Sequence, residues 1–261
     1  MRFCVLFLFF QLCVGDIVDD IMWQPKTATK AVEETKTTIV MLSYSTKRFE
    51  NLETILPNYV NMSSVLDKIV FVWNNPKENP PKFPEGSVPI EVYYRNNSLN
   101  NRYDVKPYKI KTPAVLTVDD DVWLEESLIR EMIETQKIHE ERLIGLYTRR
   151  AYNASYQFSS GHPRLVIGQT IIWNRNFGDW YTNDEFIQRS NDDPDYFGCD
   201  DIAFNALIQA QTGEDAMAVR KRGRLHELSF VGGLSSQRKW YKKRSKCVKY
   251  YGEHFNLYKW L

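Results

Sequence analysis

The sequence predicts an α/β fold built on an open, mostly parallel β-sheet. Residues 37–44 (TTIVMLSY) are an almost continuous apolar run, as expected for a strand buried on both faces of such a sheet. Short β-rich runs of this kind alternate with helical stretches over the first half of the chain. The chain has 261 residues, of which 43% are apolar, so one large domain can bury a sizeable core.

The remaining elements follow from the same patterns. Residues 75–89 are rich in Pro and Lys and predict a loop. The sequence contains no repeats, low-complexity tract or clean boundary, so a single domain is the simplest account. The predicted strands are Thr37–Tyr44, Lys68–Trp73, Ile90–Tyr94, Ala114–Val118, Arg164–Trp173, Ala216–Arg220 and Leu225–Phe230, and the predicted helices are Phe49–Tyr59, Glu125–His139, Asp200–Gln211 and about Gln237–Tyr250.

The N-terminus is typical of a secretory signal. One basic residue, an apolar run over 3–14 and the small Gly15 predict a signal peptide over residues 1–15. The run is shorter than the roughly 20 apolar residues that a comfortable membrane span needs. The alternative is a short signal anchor, which would associate the protein with a membrane. The polar residues 16–36 predict a linker, which leaves 37–261 as the folded domain.

Cysteine usage fits the same compartment. Two of the four Cys fall within the signal, so the mature chain keeps Cys199 and Cys247. One cysteine pair in a secreted protein indicates one disulfide. The alternative is two unrelated buried thiols. Three N-x-Ser sequons also fit a lumenal protein: Asn61, Asn96 and Asn153.

Composition excludes some function classes. The formal net charge is +1, so no global field attracts nucleic acid. Aromatic residues make up 14% of the chain, which suits sugar recognition, although core packing is the default role of aromatic side chains. His226 and His254 have no metal-ligand spacing with the cysteines, so no structural zinc site is expected.

The most informative motif is the acidic triplet Asp119, Asp120 and Asp121. It follows the buried strand AVLTV directly, and ligands of open α/β sheets bind outside the carboxyl ends of strands. Adjacent carboxylates repel one another, and oxygen ligands suit Mg²⁺ and Mn²⁺. The triplet therefore predicts a cation and nucleotide site. The alternatives are a solvated acidic turn and a phosphoryl-transfer site, although a Gly-rich phosphate loop is missing.

Five segments in order are similar to the exostosin-type glycosyltransferases of family 64. They are Lys68–Asn75 (KIVFVWNN), Asn96–Tyr103 (NNSLNNRY), the triplet 119–121, Gly198–Asn205 (GCDDIAFN) and Gly233–Cys247 (GLSSQRKWYKKRSKC). Each segment alone is a weak signal, but their shared order is specific. The resemblance covers nearly the whole mature length, and the length predicts one catalytic domain rather than the tandem two-domain form of the family.

The resemblance implies a GT-A fold with a Rossmann-like nucleotide-sugar half and an acceptor half. It also implies Mn²⁺-dependent, retaining transfer from a UDP- or GDP-sugar to a glycan or glycolipid, with N-acetylhexosaminyl transfer favoured, in the lumen of the endoplasmic reticulum or Golgi. The alternative is an inactive sugar-binding module of the same fold.

Residue roles carry over by position. Asp121 would ligate Mn²⁺, Asp201 would lie near the anomeric carbon, and Arg244 would meet the diphosphate or the sugar. These roles fit general chemistry, because a metal and an Arg stabilise charge on a leaving diphosphate and a carboxylate stabilises an oxocarbenium-like centre. The residues expected to contact the donor or other substrate groups are Asn75, Asn101, Arg102, Asp119, Asp120 and Asp200.

Simpler interpretations exist for two of these motifs. Asp200 and Asp201 could be acids favoured by the dipole at a helix N-terminus, and Arg244 could belong to a solvated basic helix face. The sequence also departs from the family in the loop after the first strand, where an Asn-Arg pair is usual. Here Arg48, four residues after Tyr44, is expected to supply the basic group from a shifted position.

Overall fold

The computed structural model describes residues 36–158, 161–162, 164–191, 193–219, 223–228 and 238–261. The predicted signal segment, all but the last residue of the predicted linker, and the GLSSQ part of the fifth family-like segment lie outside these residues. Within the described ranges, no helix is long and apolar enough to cross a membrane.

The elements alternate between strands and helices in the first half of the described chain. In chain order the strands are β1 (Thr37–Ser43), β2 (Leu66–Trp73), β3 (Ile90–Tyr94), β4 (Ala114–Asp119), β5 (Val122–Leu124), β6 (Ile144–Gly145), β7 (Thr148–Tyr152), β8 (Ser155–Gln157), β9 (Arg164–Val166), β10 (Thr170–Asn174), β11 (Met217–Ala218) and β12 (Leu225–Glu227). The helices are α1 (Phe49–Tyr59), α2 (Glu126–Ile138), α3 (Asn176–Asn183), α4 (Glu185–Asn191), α5 (Asp200–Thr212) and α6 (Trp240–His254).

Seven strands form the main sheet in the order β11-β6-β10-β4-β1-β2-β3. The four strands from β4 to β3 are parallel to their neighbours, as the sequence predicts. Strand β10 is antiparallel to both β4 and β6, so the sheet is mixed. Strand β11 is again parallel to β6, so parallel pairs predominate, as predicted. Two small sheets accompany it, one of β12 and β5 and one of β8, β7 and β9.

Strand β1 shows why the continuous apolar pattern was a reliable signal. Ile39 and Met41 pack with residues of α1 and α2 on one face of the sheet. Val40 and Leu42 pack with residues of α5 and α6 on the other face. Because alternate side chains of a strand point to opposite faces, both sets must be apolar in a strand covered on both sides. The fold is therefore a layered α/β structure with helices on both faces of the sheet.

Two strand predictions need correction. The predicted strand Arg164–Trp173 is two strands, β9 and β10, in different sheets, separated by a turn at Gly168 and Gln169. An apolar run alone does not reveal such a break. The predicted strand Ala216–Arg220 shortens to β11. The hairpin of β7 and β8 and the helices α3 and α4 were not predicted, because each is short and mixed in polarity.

Candidate active site

One cleft of about 600 Å³ lies at the carboxyl ends of β1, β2 and β4. This is the edge of an α/β sheet where ligands bind, because the loops after parallel strands converge there. The cleft gathers the acidic triplet, the N-terminus of α5 and the first turns of α6. The predicted site residues that line it are Arg102, Asp119, Asp120, Asp121, Asp200, Asp201 and Arg244.

The acidic triplet sits where β4 ends and turns into β5. Strand register places Leu42 of β1 beside Asp119, so the next residue, Ser43, reaches Asp120. The Ser43 hydroxyl donates a hydrogen bond of 2.6 Å to Asp120 Oδ2. Arg48 Nη1 donates to Asp121 Oδ2 at 2.8 Å, and Arg48 Nε lies 3.4 Å from Asp120 Oδ1. The shifted Arg48 therefore does contact the triplet, and a fully solvated acidic turn is the wrong description.

Burial disfavours the ionised form of two carboxyls of the triplet. It raises the pKa of Asp120 to about 6, although Arg48 and Ser43 act in the opposite direction. Burial and the negative charge of Asp119 also raise the pKa of Asp121. Groups in this state gain from a nearby cation, since a positive charge favours the ionised carboxylate.

The residues fit a divalent cation at Asp121. Asp121 Oδ1 is buried and has no hydrogen-bond partner within the described residues, so an oxygen ligand remains available. Those same residues contain no group of three His, Cys, Asp or Glu side chains placed to hold a metal by themselves. Mg²⁺ commonly binds through one or two carboxylates together with substrate phosphates, and this arrangement needs no larger protein ligand set.

The Asn-rich loop supplies Arg102 to the cleft. Arg102 Nη1 donates to Asp119 Oδ1 at 3.1 Å and to the Gly168 carbonyl at 2.7 Å, and its Nε lies 3.4 Å from Asp200 Oδ2. Burial disfavours its charged form, but Asp119 and Asp200 outweigh this effect, so the pKa of Arg102 is raised. Arg102 thus joins the triplet to the start of α5.

Two predicted donor contacts lie elsewhere. In the described part of the chain, the cleft lining does not include Asn75 or Asn101. The Asn75 amide donates to the Tyr44 carbonyl at 3.0 Å and to the Glu78 carboxylate at 2.9 Å. The Asn101 amide donates to Asn74 Oδ1 at 2.8 Å. Both amides therefore hold loops in place, and Asn74, which the sequence did not single out, faces the cleft instead.

Asp201 and Arg244 form a buried, two-pronged ion pair between α5 and α6. Arg244 Nη1 donates to Asp201 Oδ1 at 2.5 Å, and Nη2 donates to Oδ2 at 2.7 Å. The Gly168 N–H donates to the same Oδ2 at 3.1 Å, and Arg244 Nη1 also donates to the Gly198 carbonyl. A guanidinium matches a carboxylate in this geometry. Arg244 is only 4% exposed, so it does not belong to a solvated basic face.

The two adjacent acids of α5 differ in protonation behaviour. Burial raises the pKa of Asp200 to about 6, and the neighbouring Asp201 adds to this against the attraction of Arg102. Burial acts on Asp201 as well, but the charge and hydrogen bonds of Arg244 more than offset it, so the pKa of Asp201 is lowered. At neutral pH Asp201 is therefore held ionised. A helix-dipole role alone does not explain buried acids that pair with arginines of other elements.

A disulfide joins the elements that carry this pair. Cys199 and Cys247 are bonded, with a Cα–Cα distance of 5.9 Å, which confirms the cysteine prediction. Cys199 lies two residues before Asp201, and Cys247 lies three residues after Arg244. The bond therefore ties the start of α5 to the middle of α6 beside the ion pair.

Sequence reasoning missed Gly168, Tyr156 and Gly198. A Cβ at Gly168 would lie 2.5 Å from Arg102 Nη1, so a larger residue at this turn would displace the Arg102 guanidinium from its place beside Asp119. Tyr156 lies under Arg244, with its hydroxyl 3.3 Å from Nη2. Gly198, just before Cys199, has a φ of +82°, a backbone conformation that glycine adopts more readily than other residues. The glycine inside an apolar run was the available signal, since such a glycine often marks a close backbone approach.

Comparison with known proteins identifies a family and relatives that match most of the chain. The glycosyl transferase family 64 domain matches residues 37–259. Glucosamine inositolphosphorylceramide transferase 1 of Arabidopsis thaliana is 29% identical over 231 residues, which cover 83% of this chain and 30% of the relative. Exostosin-2 of Homo sapiens is 28% identical over 234 residues, which cover 84% of this chain and 32% of the relative. The chain thus spans about a third of the length of these relatives. Because the family domain covers almost all of the described fold, the chain belongs to glycosyl transferase family 64.

Proposed function

We propose that the chain transfers a sugar from a UDP- or GDP-sugar to a glycan or glycolipid acceptor, with retention of anomeric configuration and with Mn²⁺ at Asp121. The observation that carries the proposal is the single cleft that holds both the acidic triplet and the buried Asp201–Arg244 pair. N-acetylhexosaminyl transfer is the favoured type. The catalytic domain would be residues 37–261, in the arrangement of a GT-A fold.

The donor half would comprise the parallel strands and their loops. Asp121, with its unpartnered buried oxygen, would hold the cation, and Asp119 and Asp120 would contact the ribose and its neighbours. A bound Mn²⁺ would supply positive charge to the departing diphosphate. Lys47 and Arg48 line the same cleft and place further positive charge beside the triplet.

The chemical step would depend on Asp201. Because its pKa is lowered, Asp201 carries a negative charge at neutral pH, and it lines the cleft while being nearly inaccessible to bulk solvent. A fixed carboxylate in a partly desolvated site stabilises positive charge that grows at an anomeric carbon. Arg244 would orient this carboxylate, besides offering charge to the donor. The acceptor half would then comprise α5, α6 and the sheet of β7–β9.

The compartment and the acceptor are also part of the proposal. A disulfide persists in oxidising compartments, and the apolar N-terminal run fits a signal or a short anchor, so the protein would act in the secretory lumen of the endoplasmic reticulum or Golgi. One relative is named as a glucosamine inositolphosphorylceramide transferase, which supports a lipid-linked or glycan acceptor here.

Removal of the cation ligand tests the proposal. UDP or GDP together with Mn²⁺ should raise the melting temperature of the parent, and Asp121→Ala should abolish this shift without unfolding the protein. The matched control is Asp67→Ala, which removes an exposed carboxylate near the start of β2, at the opposite end of that strand from the cleft. This variant should retain the shift in melting temperature.

Turnover distinguishes the enzyme from an inactive module. Radiolabelled UDP- and GDP-sugars should be hydrolysed slowly by the parent in the presence of Mn²⁺. Nucleotide binding by Asp121→Ala as tight as that of the parent would contradict the cation assignment. Tight binding by the parent with no hydrolysis or transfer from any donor would instead support the sugar-binding module.

A further inference from the structure

Helix α6 and the residue before it carry four exposed lysines, here called the lysine stripe: Lys239, Lys242, Lys246 and Lys249. The spacing of Lys242, Lys246 and Lys249 places these three on one face of the helix, and Lys239 is the N-cap residue. The opposite face is buried and carries Arg244 and Cys247. The helix therefore has a buried face that supports the cleft and an exposed cationic face.

The C-terminal segment that contains α6 carries far more positive charge than the rest of the protein. Residues 238–261 contain eight Lys and Arg but one acidic residue, Glu253, although the whole chain has a formal net charge of only +1. The C-terminal segment is thus strongly basic while the remainder is net acidic. Such segregation is not needed for solubility, and it creates a local field that attracts anions.

Little within the described residues neutralises the lysine stripe. Among the described residues, the stripe makes one ion pair, in which Lys249 Nζ lies 3.7 Å from Glu253 Oε1, and both side chains are exposed. Exposed pairs of this kind contribute little and are easily exchanged. The stripe is therefore available to an external anionic partner.

Exposed aromatic side chains flank the lysine stripe. Tyr241 is 44% exposed and lines the mouth of the cleft, where its ring lies 4.8 Å from that of Phe158, which is 60% exposed. Tyr258, beyond the other end of α6, is 79% exposed. Aromatic rings next to lysines are typical of surfaces that lie in the interfacial region of a membrane.

We propose that the lysine stripe and its flanking aromatic residues bind the surface of an anionic membrane. The three helical lysines of the stripe span about 10 Å, from seven residues at 1.5 Å each. The stripe starts beside the cleft mouth, so binding would hold that mouth close to the lipid headgroups. A soluble polyanion would gain binding free energy from the lysines but little from contact with the exposed rings of Phe158 and Tyr258. The membrane is therefore the better match to the whole surface.

Vesicle co-sedimentation of the full chain tests this proposal. The probes are vesicles of phosphatidylcholine alone and vesicles that also contain 20 mol% phosphatidylserine. The parent should partition more strongly onto the anionic vesicles, and added salt should weaken the difference, because surface charges are screened. The apolar N-terminal run is common to all variants. The difference in partitioning between anionic and neutral vesicles therefore reports on the lysine stripe.

Replacement of lysines in the stripe by glutamine should remove the partitioning that depends on anionic lipid. Each lysine near an anionic surface contributes roughly fivefold in partitioning, so a triple variant should lose on the order of a hundredfold. Its substitutions are Lys242→Gln, Lys246→Gln and Lys249→Gln. The matched control removes three exposed lysines elsewhere and should lose far less: Lys82→Gln, Lys111→Gln and Lys137→Gln.

Three outcomes would overturn the proposal: parent-like partitioning of the triple variant, an equal loss in the control, or binding of a soluble sulfated polysaccharide through the stripe without any preference for anionic vesicles. Equal melting temperatures of parent and variants establish that the fold is intact. Partitioning requires no donor turnover, so a catalytically silent chain would leave this test unaffected.

Discussion

Replacement of Arg244 by Met should strongly destabilise the fold, because it leaves the Asp201 carboxylate buried without its counter-ion. Arg244 donates to both Asp201 oxygens at 2.5 and 2.7 Å, and each side chain is at most 8% exposed. Removal of one partner of such a pair typically costs about 3–5 kcal/mol. A domain is usually stable by about 5–15 kcal/mol, so the loss would be a large fraction of the total.

The variant pair Arg244→Met and Asp201→Asn/Arg244→Met separates folding from chemistry. Once the buried charge is removed, the double variant should regain at least about 2 kcal/mol over the single variant, yet turnover should stay lost in both. Lys246→Met, two residues along the same helix and exposed, is the matched control and should change stability by no more than about 0.5 kcal/mol.

The free energies of unfolding of the parent and of Arg244→Met should depend on pH in a direction that follows from the ionisation of Asp201. In the parent, the lowered pKa of Asp201 contributes stability above the pKa of the unfolded chain, and this contribution is lost as pH falls through the folded-state pKa. In Arg244→Met a protonated Asp201 carries no charge, so the destabilisation should shrink as pH falls. Urea unfolding from pH 7.5 to 4 follows the shrinking loss in Arg244→Met. Over the same range the Asp201 contribution in the parent should stay nearly constant, because an unperturbed Asp has a pKa of about 3.9 and the folded-state pKa is lower still. A loss in Arg244→Met below about 1 kcal/mol at pH 7.5 would refute the idea that Arg244 compensates a buried charge.

Three further predictions concern neighbouring features. Cys199→Ser opens a loop closed across 48 residues and should cost roughly 4 kcal/mol, and turnover should fail before nucleotide binding does. A thiol count that finds two free thiols in fully active parent protein would contradict a role of this disulfide in positioning Asp201 and Arg244. Asn96 is exposed but lies next to the cleft-lining Asn97, so its sequon should carry no glycan or only a sparse one; full occupancy in active protein, found by peptide mapping, would exclude this. Folded Asp200 keeps its proton up to a pKa of about 6, so its ionisation costs stability as pH rises from about 4 to 6. Asp200→Asn should therefore gain relative to the parent over that range, by up to about 3 kcal/mol in urea unfolding, and a constant difference would argue against the raised pKa.

The sequence alone determined the features that depend on local pattern. The apolar run of β1 predicted a strand buried on both faces, and the run AVLTV placed the acidic triplet at a strand end. The helices α1 and α5 were predicted nearly to the residue, since their polarity and end signals are local. The pairing of Cys199 with Cys247 followed from the compartment and from elimination, which require no coordinates.

Only the tertiary structure decided which polar groups meet. Arg244 stands in a run of basic residues that predicts a solvated face, and its burial against Asp201 depends on how α5 and α6 pack. The Asn75 amide points to a neighbouring loop and Asn74 faces the cleft, because the turn after β2 sets the direction of each side chain. Gly168 matters because Arg102 and Asp201 approach the same turn from different elements. Such pairings join residues tens of positions apart, and no local periodicity encodes them.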